Sequence, residues 1–296
     1  MKLKKIKNIL LLVSFLWALS GCEDSFFDIN DDPNASTTLV LENTLAFSQV
    51  SMVSNILADL NTNAGTFSRM WYTTGIRDYA QNQGTYSGVW TNIYAGPLAD
   101  MQAVIDGAGE DEAAYKGVAM LMKAYTFSLL TDLFGDIPYS EALNTEFPFP
   151  KLDNGADIYT DLLLQIDEAL ALLNSGGELR GDLIYGGDLG KWVKMGNTLK
   201  LKLYAQSRLE GSISSEAGFS GLVNGDIITD LTDDFELQYG AQQVPQQNRH
   251  PLHVNHYNQA TAYWMDNWMM ANLLNSGIVS NTTGLPVSYR TVEDPR

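Results

Sequence analysis

Residues 115–138, YKGVAMLMKAYTFSLLTDLFGDIP, decide the fold class. Val118, Leu121, Met122, Tyr125, Leu129 and Leu133 recur every three or four positions, the spacing that lines one face of a helix over 115–134. Gly135 suits the conformation that closes a helix, and Pro138 lacks the N–H that another turn would need. The segment therefore predicts one long helix with a sharp stop.

Outward from it the same periodicity returns. Leu162, Leu163, Ile166, Leu170 and Leu173 place a helix from near Asp157 to the stop at Asn174-Ser-Gly-Gly177, and a further helix covers about 190–209. Upstream, Leu41, Leu45, Met52, Val53, Ile56 and Leu60 share a face, with Ser36, Thr37 or Thr38 as the N-cap. Helices starting near 115, 157 and 190 lie at intervals comparable to the ~34-residue period of tetratricopeptide units, although that repeat's consensus is absent. The expected fold is all-α dominated: a tetratricopeptide-like helical scaffold with long irregular loops and minor β structure. Thr62 to Gly88, rich in Asn, Gln, Gly, Tyr and Trp, reads as surface; 210–262 reads as irregular, with a strand-like run at Phe235 to Tyr239; and Tyr263 to Leu274 reads as a helix closed by Gly277.

The N-terminus carries an address. Lys2, Lys4, Lys5 and Lys7 precede an apolar run, Ile9 to Leu19, too short to span a ~30 Å bilayer, and Leu19-Ser-Gly-Cys22 follows. Residues 1–21 therefore read as a cleaved signal, and Cys22, the single cysteine of the chain, as the site of a lipid anchor. One thiol builds no internal disulfide, which fits a cysteine destined for modification. Residues 22–36 form an acidic, turn-rich tether, and 37–296 the helical domain.

Composition narrows the partners. The chain has 296 residues, 45% of them apolar, and a formal charge of −17. Losing four lysines with the signal leaves 14 basic against 35 acidic residues, or −21, which disfavours nucleic acid and anionic surfaces as partners. Asp28, Asn30 and Asp32 begin like a calcium loop, but Pro33 stands where glycine is required and Leu39 where a bidentate Glu belongs. His250, His253 and His256 cluster, yet Pro251 breaks the helix that would bring two of them together, so no metal site is expected and a polar surface loop is the better reading.

The loop from Arg69 to Tyr86 differs in kind, because it interleaves aromatic rings with Arg, Asp, Asn and Gln. Sugars suit such surfaces: a ring covers the apolar C–H face of a pyranose while planar amides and guanidinium groups meet hydroxyls in pairs. Trp71, Tyr72, Tyr79 and Tyr86 are candidates for stacking, and Arg77, Asp78, Asn82 and Gln83 for hydrogen bonding. Trp71 and Tyr72 could equally continue the first helix into the core. No Gly-x-Ser-x-Gly elbow, phosphate loop or His-Glu-x-x-His is present, consistent with binding without catalysis or cofactor.

Three stretches, Asp28-Ile-Asn-Asp-Asp-Pro-Asn34, Ala124-Tyr125 with Asp132-Leu-Phe-Gly-Asp-Ile-Pro-Tyr-Ser-Glu-Ala142, and Gly181-Asp-Leu-Ile-Tyr-Gly-Gly-Asp188 with Lys191-Trp192 and Asn197-Thr-Leu-Lys200, occur in order behind the lipid-anchor motif. Together they resemble the SusD/RagB family of Bacteroidetes. The resemblance implies a surface-exposed outer-membrane lipoprotein that binds a nutrient, most readily a glycan, and delivers it to a SusC-like TonB-dependent transporter. It also implies that the first inter-helix loop joins the ligand face, and that Glu23 and Asp24 act as the acidic export signal. Members of that family are much longer, and Glu293-Asp-Pro-Arg296 falls mid-chain in them, so a chain truncated at its C-terminus is expected. An exported carbohydrate-active enzyme on a helical scaffold is the competing reading, and a purely structural surface lipoprotein the third.

If Cys22 carries the anchor, Cys22→Ser should abolish incorporation of labelled palmitate and shift the protein from the membrane to the soluble fraction, as read by metabolic labelling and fractionation.

Overall fold

The architecture rests on helices that fold back on one another in chain order. In a computed structural model, residues 39–72, 84–211, 213, 215–244, 247–258 and 264–265 are described; the signal, Cys22 and the tether lie outside them. Helix α1 (Leu41–Asn55) passes through a π-helical turn (Ile56–Leu60) into α2 (Asn61–Phe67), followed by β1 (Trp71–Tyr72). α3 (Ser87–Ile93) and α4 (Ala99–Gly107) flank a second π turn, Tyr94–Leu98. The long helices α5 (Ala113–Phe134), α6 (Gly155–Asn174) and α7 (Leu189–Gln206) precede the short α8 (Ser215–Leu222), α9 (Pro251–Asn258) and β2 (Trp264–Met265).

The three long helices alternate in direction. Near the start of α5, a Cβ on Gly117 would come within 2.9 Å of Leu173 at the end of α6, so glycine is what lets these helices approach. At the opposite end, the Tyr159 hydroxyl of α6 donates to Asp132 of α5 and lies 3.2 Å from Gln206 Oε1 of α7, and Gln206 Nε2 donates to Asp132 at 2.9 Å. Lys200 and Asp167 pair across α7 and α6 at 2.5 Å. The fold is thus the expected tetratricopeptide-like stack, cored by Leu121, Phe127, Leu130, Leu162, Ile166, Trp192 and Leu203, each buried.

α5 is more central than a one-faced helix. Its neighbours include α1, α4, α6 and α7, so burial extends around it to Ala114, Ala119 and Thr126, while Leu133, expected on the inner face, is 40% exposed. At its C-terminus Gly135 has φ 75° and donates its N–H to the Thr131 carbonyl. Helix starts also follow local chemistry. Asn154 accepts from the Ala156 N–H and Asp188 from the Lys191 N–H, each satisfying a backbone donor that the first helical turn leaves open.

Several elements depart from the sequence reading. α1 starts after Val40 without a side-chain cap; the expected caps Ser36, Thr37 and Thr38 lie outside the described residues. The stretch from Thr62 is not all surface: α2 continues the first helix, and Asn63 and Gly65 are buried in it. α3 and α4 interrupt what periodicity alone had left unassigned, bent where Gly96 leaves helical geometry before Pro97. Trp264 and Met265 are strand, not helix, because they pair antiparallel with Tyr72 and Trp71 and take their backbone hydrogen bonds across the pair. Pro251 opens α9 instead of breaking it, since proline's missing N–H costs nothing at a first helical position, and His250 Nδ1 accepts from the Leu252 N–H just inside that helix.

One buried carboxylate holds α1, the 181–188 turn and α7 together. Asp182 accepts from Gln49 Nε2 (2.8 Å), the Gly187 N–H (2.9 Å), Trp192 Nε1 (2.9 Å) and the Ile184 N–H (3.1 Å). Gln49 returns through its Oε1, which accepts from the Leu183 N–H at 2.7 Å. Gly181 makes the close approach possible: at φ 72°, a Cβ there would sit 2.2 Å from the Glu42 carbonyl oxygen. Asp182→Ala should leave these buried donors without an acceptor and cost about 3 kcal/mol or more, read as a lowered urea midpoint. Gly181→Ala should be destabilising too, through the clash and the left-handed backbone.

Candidate functional site

The polar-aromatic loop of residues 69–86 is held at both stems. At the entry, the Met70 N–H donates to the Gly65 carbonyl (2.9 Å) and the Arg69 N–H to Thr66 (3.1 Å), the paired pattern of a Schellman helix end. Arg69 occupies its left-handed position at φ 58°, where glycine would be the easier residue. The reversal feeds directly into β1, where Trp71 faces Met265 and Tyr72 faces Trp264 in the antiparallel pair. Two candidate stacking residues thus belong to a pinned strand, not to an extended first helix.

At the exit, Ser87 donates through both its N–H and hydroxyl to the Gly84 carbonyl, and α3 begins. Tyr86 is half-buried with its edge toward Phe134, ring centroids 6.4 Å apart. Phe134 also receives Trp90 edge-on at 5.2 Å; Trp90 lies against Tyr94 at 5.0 Å, Tyr94 meets Phe127 at 6.1 Å, and Phe127 meets Tyr139 at 4.8 Å. Edge-to-face pairs of this kind contribute roughly 0.5–1.5 kcal/mol each beyond burial. The loop exit therefore stands on a continuous row of rings. Of the remaining candidates, Arg77, Asp78, Tyr79, Asn82 and Gln83 lie outside the described residues.

The far end of that row is the 132–142 motif. Ile137 and Asp153 form a backbone bridge, and the Tyr94 hydroxyl donates to the Pro138 carbonyl at 2.6 Å. The Tyr139 hydroxyl donates to Asp161 at 2.5 Å. Burial first, and then the neighbouring carboxylates, push both phenols above their ordinary range. Asp153 gathers the turn, accepting from the Ser140 N–H (2.7 Å), the Ser140 hydroxyl (3.0 Å) and the Tyr139 N–H (3.2 Å), with Lys151 at 3.5 Å. Desolvation works to raise its carboxyl, but the Ser140 and Tyr139 bonds and Lys151 outweigh that and hold it below the ordinary carboxylate range. The motif orients the ring row.

Trp90 and Tyr94 were not among the sequence candidates, although their four-residue spacing carries a helical signal. Among the described residues, no group of three His, Cys, Asp or Glu side chains is placed to hold a metal ion, and no helix is long and apolar enough to cross a membrane.

Comparison with known proteins places this arrangement. A family model for SusD-like proteins, described as starch-binding and associating with the outer membrane, matches residues 33–277. A solved chitin-binding protein is 25% identical over 80% of this chain and 52% of its own, with a TM-score of 0.67. A SusD/RagB family protein from Bacteroides thetaiotaomicron (22% identity, 80% and 52% coverage, TM-score 0.67) and a chitin-binding SusD homologue from Flavobacterium johnsoniae (17%, 78% and 52%, TM-score 0.66) share the fold. The chain spans about half the length of these structures. Among curated proteins, none matches it.

The Asp153 bracket makes a pH prediction. A carboxyl held low in the folded state contributes stability that is full above the unfolded value near pH 4 and is lost as pH falls through the folded value. Asp153→Asn should therefore be less stable than wild type at neutral pH, with the difference closing below about pH 4, read by thermal unfolding across pH.

Proposed function

The chain belongs to the SusD-like family, and on that premise we propose that it is a cell-surface lipoprotein that captures a glycan and passes it to a TonB-dependent outer-membrane transporter. The family match over residues 33–277 carries the reading. In it, the signal of residues 1–21 exports the chain, Cys22 takes the lipid, and the helical stack is held at the outer membrane through that anchor. The stack positions the 69–86 loop, and affinity comes from rings on sugar faces and from planar polar groups on hydroxyls, with no bond made or broken. Trp71, Tyr72, Tyr79 and Tyr86 are the stacking residues of this proposal, and Arg77, Asp78, Asn82 and Gln83 its hydrogen-bonding residues.

The chitin-binding neighbour at 25% identity supports a saccharide as ligand, and the β1 pairing supports a fixed entry to the loop. The family description, association with the outer membrane, supports a partner in that membrane.

Trp71→Ala and Asn82→Ala should each weaken glycan binding about tenfold while leaving the unfolding midpoint within a few degrees, measured by calorimetry on starch and chitin oligosaccharides. Unchanged affinity in both variants removes the loop from the site, and release of reducing ends during incubation favours the enzyme reading. Co-purification with a membrane barrel from detergent extracts is expected.

A further inference from the structure

His250 stands at the head of α9, where its charge decides what it can do. The Val254 N–H donates to its carbonyl at 3.1 Å, and its Nδ1 accepts from the Leu252 N–H, also at 3.1 Å. A cap of this kind satisfies one of the N–H groups that a first helical turn leaves open. Only a neutral imidazole can serve. An imidazolium carries N–H on both ring nitrogens and accepts nothing, and it adds positive charge to a helix end that is already positive.

The ring is held from the preceding segment. Asn248 closes residues 240–248 on themselves: the Gly240 N–H donates to its carbonyl (2.8 Å), the Gln242 N–H to its Oδ1 (2.8 Å), and its own N–H to the Gln242 carbonyl (3.2 Å). The closed turn sets the Tyr239 ring 4.9 Å from the His250 ring, and the Tyr239 hydroxyl is buried toward Ser54 of α1. The titratable groups that face His250 are Tyr239 and, three residues on in α9, His253; Arg249, beside it in the chain, turns its Nε to Gln247 at 2.9 Å. A ring face alone tolerates a cation. Burial first, and the second imidazole next, nevertheless hold His250 below the ordinary histidine value.

α9 ends at Asn258, and β2 opens soon after at Trp264, paired with Tyr72. The chain from Tyr239 to β2 is thus set against α1 at one end and β1 at the other, with the His250 cap between them. We propose that His250 is a proton-operated latch on the pairing of β2 with β1: neutral, it caps α9 and holds the segment that carries β2; protonated, it frees the head of α9 and loosens β2. A histidine whose folded value lies below its unfolded one contributes stability that is full above about pH 6.5 and is lost as pH falls toward the folded value. Because β1 is the entry of the 69–86 loop, the latch sets that loop for capture near neutral pH and for release in acid; this last step alone rests on the glycan-binding reading.

The test is amide exchange of the full chain in detergent micelles, with His250→Asn as the reference at each pH, since asparagine caps a helix without titrating. At about pH 7.5 the two proteins should exchange alike. At about pH 5 wild type should exchange at least about tenfold faster than His250→Asn, both at residues 252–254 and at 71–72, with one shared midpoint. His253→Asn should move that midpoint to higher pH, because a group that opposes protonation of His250 is gone; this shift decides if His250→Asn fails to fold. Equal exchange of wild type and His250→Asn at about pH 5 overturns the latch, as does an unmoved midpoint in His253→Asn. Opening at 252–254 with 71–72 unchanged overturns it too, since the cap then does not reach β1. No ligand enters the measurement, so its failure is distinct from failure of the glycan-binding reading.

Discussion

A carboxylate taken out of water is stable only if the protein returns the hydrogen bonds that water gave it, and Asp182 is the place where that requirement organises the chain. Its donors come from α1 through Gln49, from its own turn through the Ile184 and Gly187 N–H groups, and from α7 through Trp192. None of these elements can shift without breaking a bond to a buried charge. The Trp192 ring that supplies one donor is also fully buried, with Tyr185 edge-on at 5.2 Å and Phe235 at 5.8 Å. One residue therefore serves the polar hub and the apolar core together, which fixes the register of α7 against α1.

The same logic, built with rings, sets the candidate site. Tyr86, Phe134, Trp90, Tyr94, Phe127 and Tyr139 run from the loop exit to the turn after α5, and the Tyr94 and Tyr139 hydroxyls end on the Pro138 carbonyl and Asp161. Large rigid rings lose little conformational entropy when ordered, so a row of them is a firm base for the exit of the 69–86 loop.

Much of the scaffold was legible in sequence because apolar spacing and stop signals agree. Val118, Leu121 and Met122 with Gly135, and Leu162, Ile166 and Leu170 with Gly176-Gly177, each state a helix and its end in local terms. What escaped reading depends on partners distant in sequence. Val89, Ile93, Leu98, Met101 and Val104 carry an inward pattern, but Gly96-Pro97 breaks its phase, and the segment resolves only by packing on α1 and α5. Pro251 reads as a breaker until its position at the head of α9 is known. Trp264 suits helix or strand equally until Tyr72 supplies a neighbour. Of the site, residue types were legible and placement was not: the sequence suggests Trp71 and Tyr72 as ligand contacts without indicating that they form a strand, and it gives no sign that Gln49 meets Asp182.

The pairing of Trp71 with Met265 bears on when the protein becomes competent, not only on what it contacts. Strands so far apart in the chain close a large loop, and such pairings form late because their entropy cost precedes their reward. The helical stack, built from neighbours in sequence, can form as the chain emerges. The entry stem of the 69–86 loop takes its strand only after residues 264–265 have arrived. A chain that emerges N-terminus first would thus complete its helical scaffold before the strand at residues 71–72, whose pairing reports that residues 264–265 have arrived.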